Sequence, residues 1–261
     1  LTLVWVDDEL LSYWDAPCDT PAYRKGSVGE VERDDAELNS AAATVVVTEK
    51  GSESSREAAG VVVGLLEKVS EMLEESKDEL GKLDSIAGDG DHGIGMANGS
   101  KAAAQAARAI ADQGAGVATT LSAAGDAWSD RAGGTSGALW GSLLTAIGAA
   151  LGNEEAPSLD SITDAVIAGR SAVQRLGGAQ VGDKTMVDAL VPLVDAFVST
   201  DGDLKAKGEA AVAAGQAGAE STVQLVAKLG RARPLGEKSL GTPDPGAVSL
   251  VRAVKVVVEQ I

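Results

Sequence analysis

From Glu57 onward apolar residues return every three or four positions, interrupted by short breaks marked with glycine or proline. Val61, Val62, Leu65, Leu66, Val69, Met72 and Leu73 keep helical spacing and define one apolar face. The same period predicts further helices near 94–113, 117–131, 136–151, 159–176, 184–199, 203–229 and 245–260. Gly133-Gly134, Gly177-Gly178 and the stretch from Pro234 to Pro245 punctuate them. Eight helices with mostly short connections predict an all-α fold, an antiparallel bundle or barrel over residues 57–261.

The first 56 residues follow another pattern. Leu1 to Val6 reads as a strand, Asp7 to Leu11 as an acidic helical turn, and Pro17 and Pro21 follow. Trp5, Tyr13, Trp14 and Tyr23 crowd bulky side chains into this stretch. Residues 25–56 are polar, acidic and small, broken only by Val45 to Val47, and read as a linker. The chain opens on Leu1 rather than Met, so residues 1–24 are expected to be the tail of something larger.

With 261 residues there is room for one or two domains with a sizeable core. An aromatic content of only 3% beside abundant Ala, Gly, Val and Leu favours closely packed helices over a β-sandwich. The net charge of -17 argues against a nucleic-acid surface. An acidic protein can still bind a nucleotide if metal ions supply local positive charge. Cys18 stands alone, which rules out an internal disulfide and points to a reducing compartment. No apolar run reaches membrane-spanning length and no signal-type segment opens the chain, so the expectation is a cytoplasmic protein without a membrane partner.

Four polar segments between the helices carry candidate chemistry. Asp84, Asp89 and Asp91 gather three carboxylates in eight residues of a glycine-rich turn. Hard oxygen donors with positions left open suit Mg²⁺ that also holds phosphates, whereas the plain alternative is a solvated Asp-Gly turn. Gly133-Gly134-Thr135-Ser136-Gly137 precedes an apolar helix, and free N–H groups at such a start favour an anion. A Ser/Thr helix cap is the simpler alternative there. In Gly182-Asp183-Lys184-Thr185-Met186-Val187-Asp188, Asp183 is placed to cap a helix and Lys184 offers a point charge. Gly230 to Gly236, continued by Gly241 to Gly246, forms a proline-stiffened loop able to wall a base or ribose. His92, the one histidine, lies beside Asp91, where it can orient a phosphate or a metal-bound water, although a lone histidine is more often structural than catalytic. No GxxxxGK[ST] and no HRD or DFG set occurs.

Together LDSIAGDGDHG, GGTSGALWG, GDKTMVDAL and GRARPLGEKSLGTPDPGA closely resemble the nucleotide-binding L domain of the dihydroxyacetone kinase family, in the family's order over residues 57–261. The resemblance implies an eight-helix barrel with the nucleotide at one end. It implies that Asp84, Asp89 and Asp91 hold two Mg²⁺ ions bridging ATP phosphates, and that Thr135 and Ser136 contact phosphate with the Gly133-Gly134 backbone. It places Gly177, Thr185 and Met186 around the adenine, Asp244-Pro245-Gly246 as the closing wall, and Arg231 and His92 nearby.

VDDELLSYWDAPCDTPAYRKG resembles the end of the family's substrate-binding K domain, which implies the C-terminal part of a fused ketose kinase that dimerises in full-length form. The substrate-holding histidine of that family lies in the K domain, so no catalytic residue is assigned here and this stretch alone should not phosphorylate dihydroxyacetone or a tetrulose efficiently. Two alternatives stand beside the kinase: a phosphotransferase-system L-type subunit with ADP as bound coenzyme, and a non-enzymatic lipid-binding helical bundle.

Overall fold

A computed structural model describes residues 7–17, 19–20, 23–24 and 50–261, divided into two units, 1–44 and 45–261. In the first unit, helix α1 (Asp8–Asp15) starts where the Asp7 carboxylate accepts the Leu10 N–H at 2.9 Å. This is the acidic helical turn expected from the sequence, and its Tyr13 and Trp14 are 68% and 74% exposed. Strand β1 (Asp19–Thr20) pairs antiparallel with β2 (Tyr23–Arg24), Thr20 facing Tyr23. The strand expected at Leu1 to Val6, Cys18 and residues 25–49 of the expected linker lie outside the described residues.

In the second unit Ser52 caps α2 (Glu53–Glu75), its hydroxyl accepting the Ser55 N–H at 3.1 Å. The helix thus begins four residues ahead of its apolar pattern, because a cap is set by a side-chain oxygen and not by hydrophobicity. A short α3 (Lys77–Asp84) follows, then α4 (His92–Ala111), α5 (Val117–Ala132), α6 (Gly134–Leu151) and α7 (Leu159–Gly177). The series ends with α8 (Val187–Ser199), α9 (Leu204–Ser221) and α10 (Pro245–Glu259).

Each long helix packs on the next, and α10 returns to pack on α2. The short connections force successive helices to run antiparallel, so the all-α barrel read from the sequence is the fold. The Ala- and Gly-rich composition finds its reason in the closeness of these helices. A Cβ on Gly125 would lie 2.7 Å from the Gly141 carbonyl, and one on Gly141 equally close to that of Gly125, so α5 and α6 touch backbone to backbone. Trp128 and Trp140 stack within this layer at 4.6 Å between ring centroids and 4° between planes.

Two expected helices are shorter than their patterns. The helix expected over 203–229 stops at Ser221, where Thr222 turns its hydroxyl back to the Ala219 carbonyl and a 3₁₀ turn (Thr222–Gln224) leads into the loop. The helix expected from residue 184 starts at Val187, since Lys184 has a φ of 61°, outside the helical range. Antiparallel order brings the starts of α4, α6, α8 and α10 to one end of the barrel together with the ends of α3, α5 and α7. No described helix is long and apolar enough to cross a membrane.

Candidate functional site

That end of the barrel holds a cavity of about 450 Å³. All fifteen residues that the resemblance places at the site border it, although they are spread over more than 160 positions.

The aspartate turn forms one wall. Asp84, partly buried at the end of α3, accepts the backbone N–H groups of Gly90 at 2.8 Å and His92 at 3.4 Å. Those two bonds fold the turn around Asp84, so Asp89 and Asp91 stand out from it. One carboxylate oxygen from each of the three lies within 4.8 Å of the others. Partial burial and the charge of Asp84 push the Asp91 carboxyl above its usual range, as expected where like charges gather. The Arg231 guanidinium answers that charge from the far loop, donating to Asp91 at 2.6 Å and to Asp89. A positive group thus already sits where a hard cation would bind, and the all-oxygen donor set fits Mg²⁺.

His92 has a different role from its neighbours. Its buried ring meets the Ser249 hydroxyl at 3.0 Å through Nε2, tying the start of α4 to α10. Burial pushes its pKa below the ordinary histidine value, opposed by Asp84 and a hydrogen bond at the Pro245 backbone. The ring is therefore neutral at pH 7 and walls the cavity as a structural strut.

Gly133 and Gly134 join α5 to α6 with φ of 67° and 60°. Two consecutive left-handed residues turn the chain through a one-residue joint, which side chains with a Cβ resist. Thr135 and Ser136, in the first turn of α6, line the cavity, with Arg231 Nη2 3.4 Å from the Cβ position of Gly134. Leu139, Trp140, Met96, Val173 and Leu229 make the apolar inner wall, a feature the loop motifs did not disclose.

Opposite lies the α7–α8 loop. Asp188, buried in the first turn of α8, accepts the Gly182 N–H at 2.6 Å and the Thr185 N–H at 2.8 Å. Asp188 therefore organises this turn, in place of the Asp183 cap expected from the sequence. Asp183 instead accepts the Gln180 N–H at 2.9 Å. Lys184 is no free point charge either: its ammonium is buried and bonded to four backbone carbonyls. Met186 is buried and packs near the Cβ position of Gly246 at 3.5 Å, so the loop and the start of α10 close on each other.

Asp244 caps α10, accepting the Ala247 N–H at 2.8 Å, and its own N–H is held by the Thr222 hydroxyl at 2.8 Å. Burial pushes its carboxyl up to about 7, helped by Asp188 and opposed by the Ala247 and Gly246 N–H groups and by Lys184. A carboxyl that keeps its proton in the fold makes stability greatest below the unfolded value near 4, declining as pH rises towards 7. Asp244→Asn keeps a capping oxygen and removes this charge. Its melting temperature relative to the parent is expected to rise between pH 4 and 8, by an amount equivalent to a few kcal/mol. Parallel melting profiles would rule out the buried proton.

The family model for the DAK2 domain matches residues 86–259. The chain belongs to the DAK2-domain family. The chain is 47% identical to the L-erythrulose 1-kinase of Mycolicibacterium smegmatis over its whole length, covering 46% of that protein. It is 36% identical to the ADP-binding subunit DhaL of a PEP-dependent dihydroxyacetone kinase from Listeria innocua, over 76% of this chain and 92% of that one. Among solved structures, the dihydroxyacetone kinase of C. freundii in complex with AMP-PNP and Mg²⁺ superposes with a TM-score of 0.62 at 26% identity. That match covers 92% of this chain and 38% of the other. The chain thus spans about half the length of the erythrulose kinase it matches, and the dihydroxyacetone kinase family, with its helical nucleotide-domain fold, is where it belongs.

Proposed function

We propose that this domain binds Mg·ATP and serves phosphoryl transfer to a hydroxyl of a short ketose, dihydroxyacetone or a tetrulose. The observation that carries the reading is the meeting of three carboxylates and the start of α6 at one cavity. Asp84, Asp89 and Asp91 would hold two Mg²⁺ ions, which supply charge neutralisation at the phosphates. The α6 N–H groups, Thr135 and Ser136 bind phosphate oxygens, while Gly177, Thr185 and Met186 line the base pocket that Asp244-Pro245-Gly246 closes. The ketose and its substrate-holding histidine belong to a K domain, of which residues 1–24 are the tail and 25–56 the linker. The full-length kinase is then a cytoplasmic homodimer, and this stretch alone is inactive on ketose.

Calorimetric titration with ATP tests the reading, once with Mg²⁺ and once with EDTA. Binding that depends on Mg²⁺ supports it; equal binding in EDTA, or none, overturns it. A second reading, ADP held as a permanent coenzyme, is favoured by the similarity to DhaL across nearly all of that subunit. Nucleotide that stays through gel filtration would decide for the coenzyme.

Arg231 makes a further prediction of opposite signs. Because it occupies the carboxylates, Arg231→Gln is expected to bind Mn²⁺ alone more tightly, by about fivefold. The same variant loses a charged phosphate partner and is expected to bind Mg·ATP about tenfold more weakly. Electron paramagnetic resonance of free Mn²⁺ and calorimetry read the two effects, and changes of the same sign would refute the exchange.

A further inference from the structure

The loop between α9 and α10 brings Arg231 to the carboxylates, yet it has no regular element longer than a 3₁₀ segment (Arg233–Ser239). Most of its internal hydrogen bonds close turns of three residues; those that reach across it are the Gly241 N–H to the Val223 carbonyl at 2.9 Å, the Ala227 N–H to the Ser239 hydroxyl at 3.1 Å and the Asp244 N–H to the Thr222 hydroxyl at 2.8 Å. From outside, Lys228 is tied to Asp183 and Arg231 to the carboxylates, but one outside side chain reaches both ends of the loop. Lys184 Nζ donates to the carbonyls of Thr222 at 2.7 Å, Leu225 at 3.1 Å, Ser239 at 2.7 Å and Thr242 at 2.6 Å.

Three ammonium protons thus serve four acceptors, drawn from both ends of the loop. The residue is 5% exposed, so these oxygens have little water to replace the ammonium. Lys184 also holds the positive φ of 61°, an expense that the surroundings must enforce. Asp188 does so by gripping the N–H groups on either side, at Gly182 and Thr185. No carboxylate forms an ion pair with Lys184 among the described contacts; its partners are backbone dipoles converging as they would on a bound cation.

We propose that Lys184 is a positioning residue: its ammonium is a built-in cation that gathers the 222–242 loop and so holds Arg231 and Asp244 at the cavity. Lys184 does not reach the reacting groups, because its protons are committed to the four carbonyls. The proposal deepens the nucleotide reading and rests on it for the choice of ligand.

The test uses the full chain with Lys184→Met, which keeps the apolar stem, and Lys184→Ala, which opens a space. Amide hydrogen exchange in residues 223–242 is expected to accelerate at least tenfold in both, with α5 and α6 unchanged. Affinity for Mg·ATP is expected to fall about tenfold. Methylammonium, fitting the space left by Lys184→Ala, slows the loop exchange again in that variant and not in Lys184→Met. Unchanged loop exchange in Lys184→Met overturns the proposal. So does acceleration spread evenly through the barrel, which would make Lys184 a general folding residue. Should the parent protein bind no Mg·ATP, the nucleotide reading falls, while loop exchange with its methylammonium response still decides on Lys184.

Discussion

Asp89→Asn is expected to lower affinity for Mg·ATP on the order of 100-fold, while leaving whatever affinity remains in EDTA unchanged. The argument rests on how the turn divides labour among its carboxylates. The Asp84 carboxylate accepts the Gly90 and His92 backbone N–H groups, so losing it would unravel the turn as well as remove a ligand. Among the described residues Asp89 accepts no backbone bond that shapes the turn; its partner is Arg231. The amide therefore preserves shape and removes one negative charge facing the cavity. A loss of equal size in EDTA would mean that Asp89 acts on the nucleotide without metal, and the metal assignment would fall.

Gly93→Ala is expected to destabilise the fold by about 3 kcal/mol, lowering the melting temperature by roughly 10 °C. Gly93 lies in the first turn of α4, where α3 crosses it. A Cβ there would stand 1.9 Å from the Lys77 carbonyl oxygen and 2.9 Å from the Gly81 nitrogen. Both are backbone atoms of a helix and cannot turn aside as a side-chain tip can. Alanine is the better helix former by about 1 kcal/mol, and that gain is too small to offset the overlap. Because α3 ends in Asp84 and α4 starts at His92, the strain falls on the aspartate turn, and Mg·ATP affinity should drop with stability. A melting temperature equal to or above that of the parent would show that the two helices can part at no cost.

The aspartate turn and the Gly133-Gly134 joint were legible in the sequence because each is local: the charges, the glycines and the next helix sit within a dozen residues. The barrel was legible for the same reason, since helical periodicity needs only one helix at a time. Lys184 was not, because its partners are backbone carbonyls 38 to 58 positions away and carry no side-chain signature. Asp188 gave a faint signal, an acid three residues after Thr185, but a backbone clamp and an ordinary helix start read alike. His92 was assigned to the site from its neighbour Asp91, whereas its burial depends on Ser249, 157 positions on. The shortened end of α9 depended on Thr222 finding the Asp244 N–H, again a contact between distant segments.

The ring of helices has one seam. The largest interfaces around it join helices near one another along the chain, but α10 and α2 come from its two extremes. Contacts of low sequence separation form early and cheaply, whereas the seam must wait for nearly the whole barrel to exist. Several polar contacts cross towards that late side: His92 to Ser249, Arg231 to Asp89 and Asp91, and Arg252 paired twice with Glu79. The carboxylates and the Asp244 wall therefore meet only when the ring closes, and a ligand touching both acts as a clasp on the last step of folding.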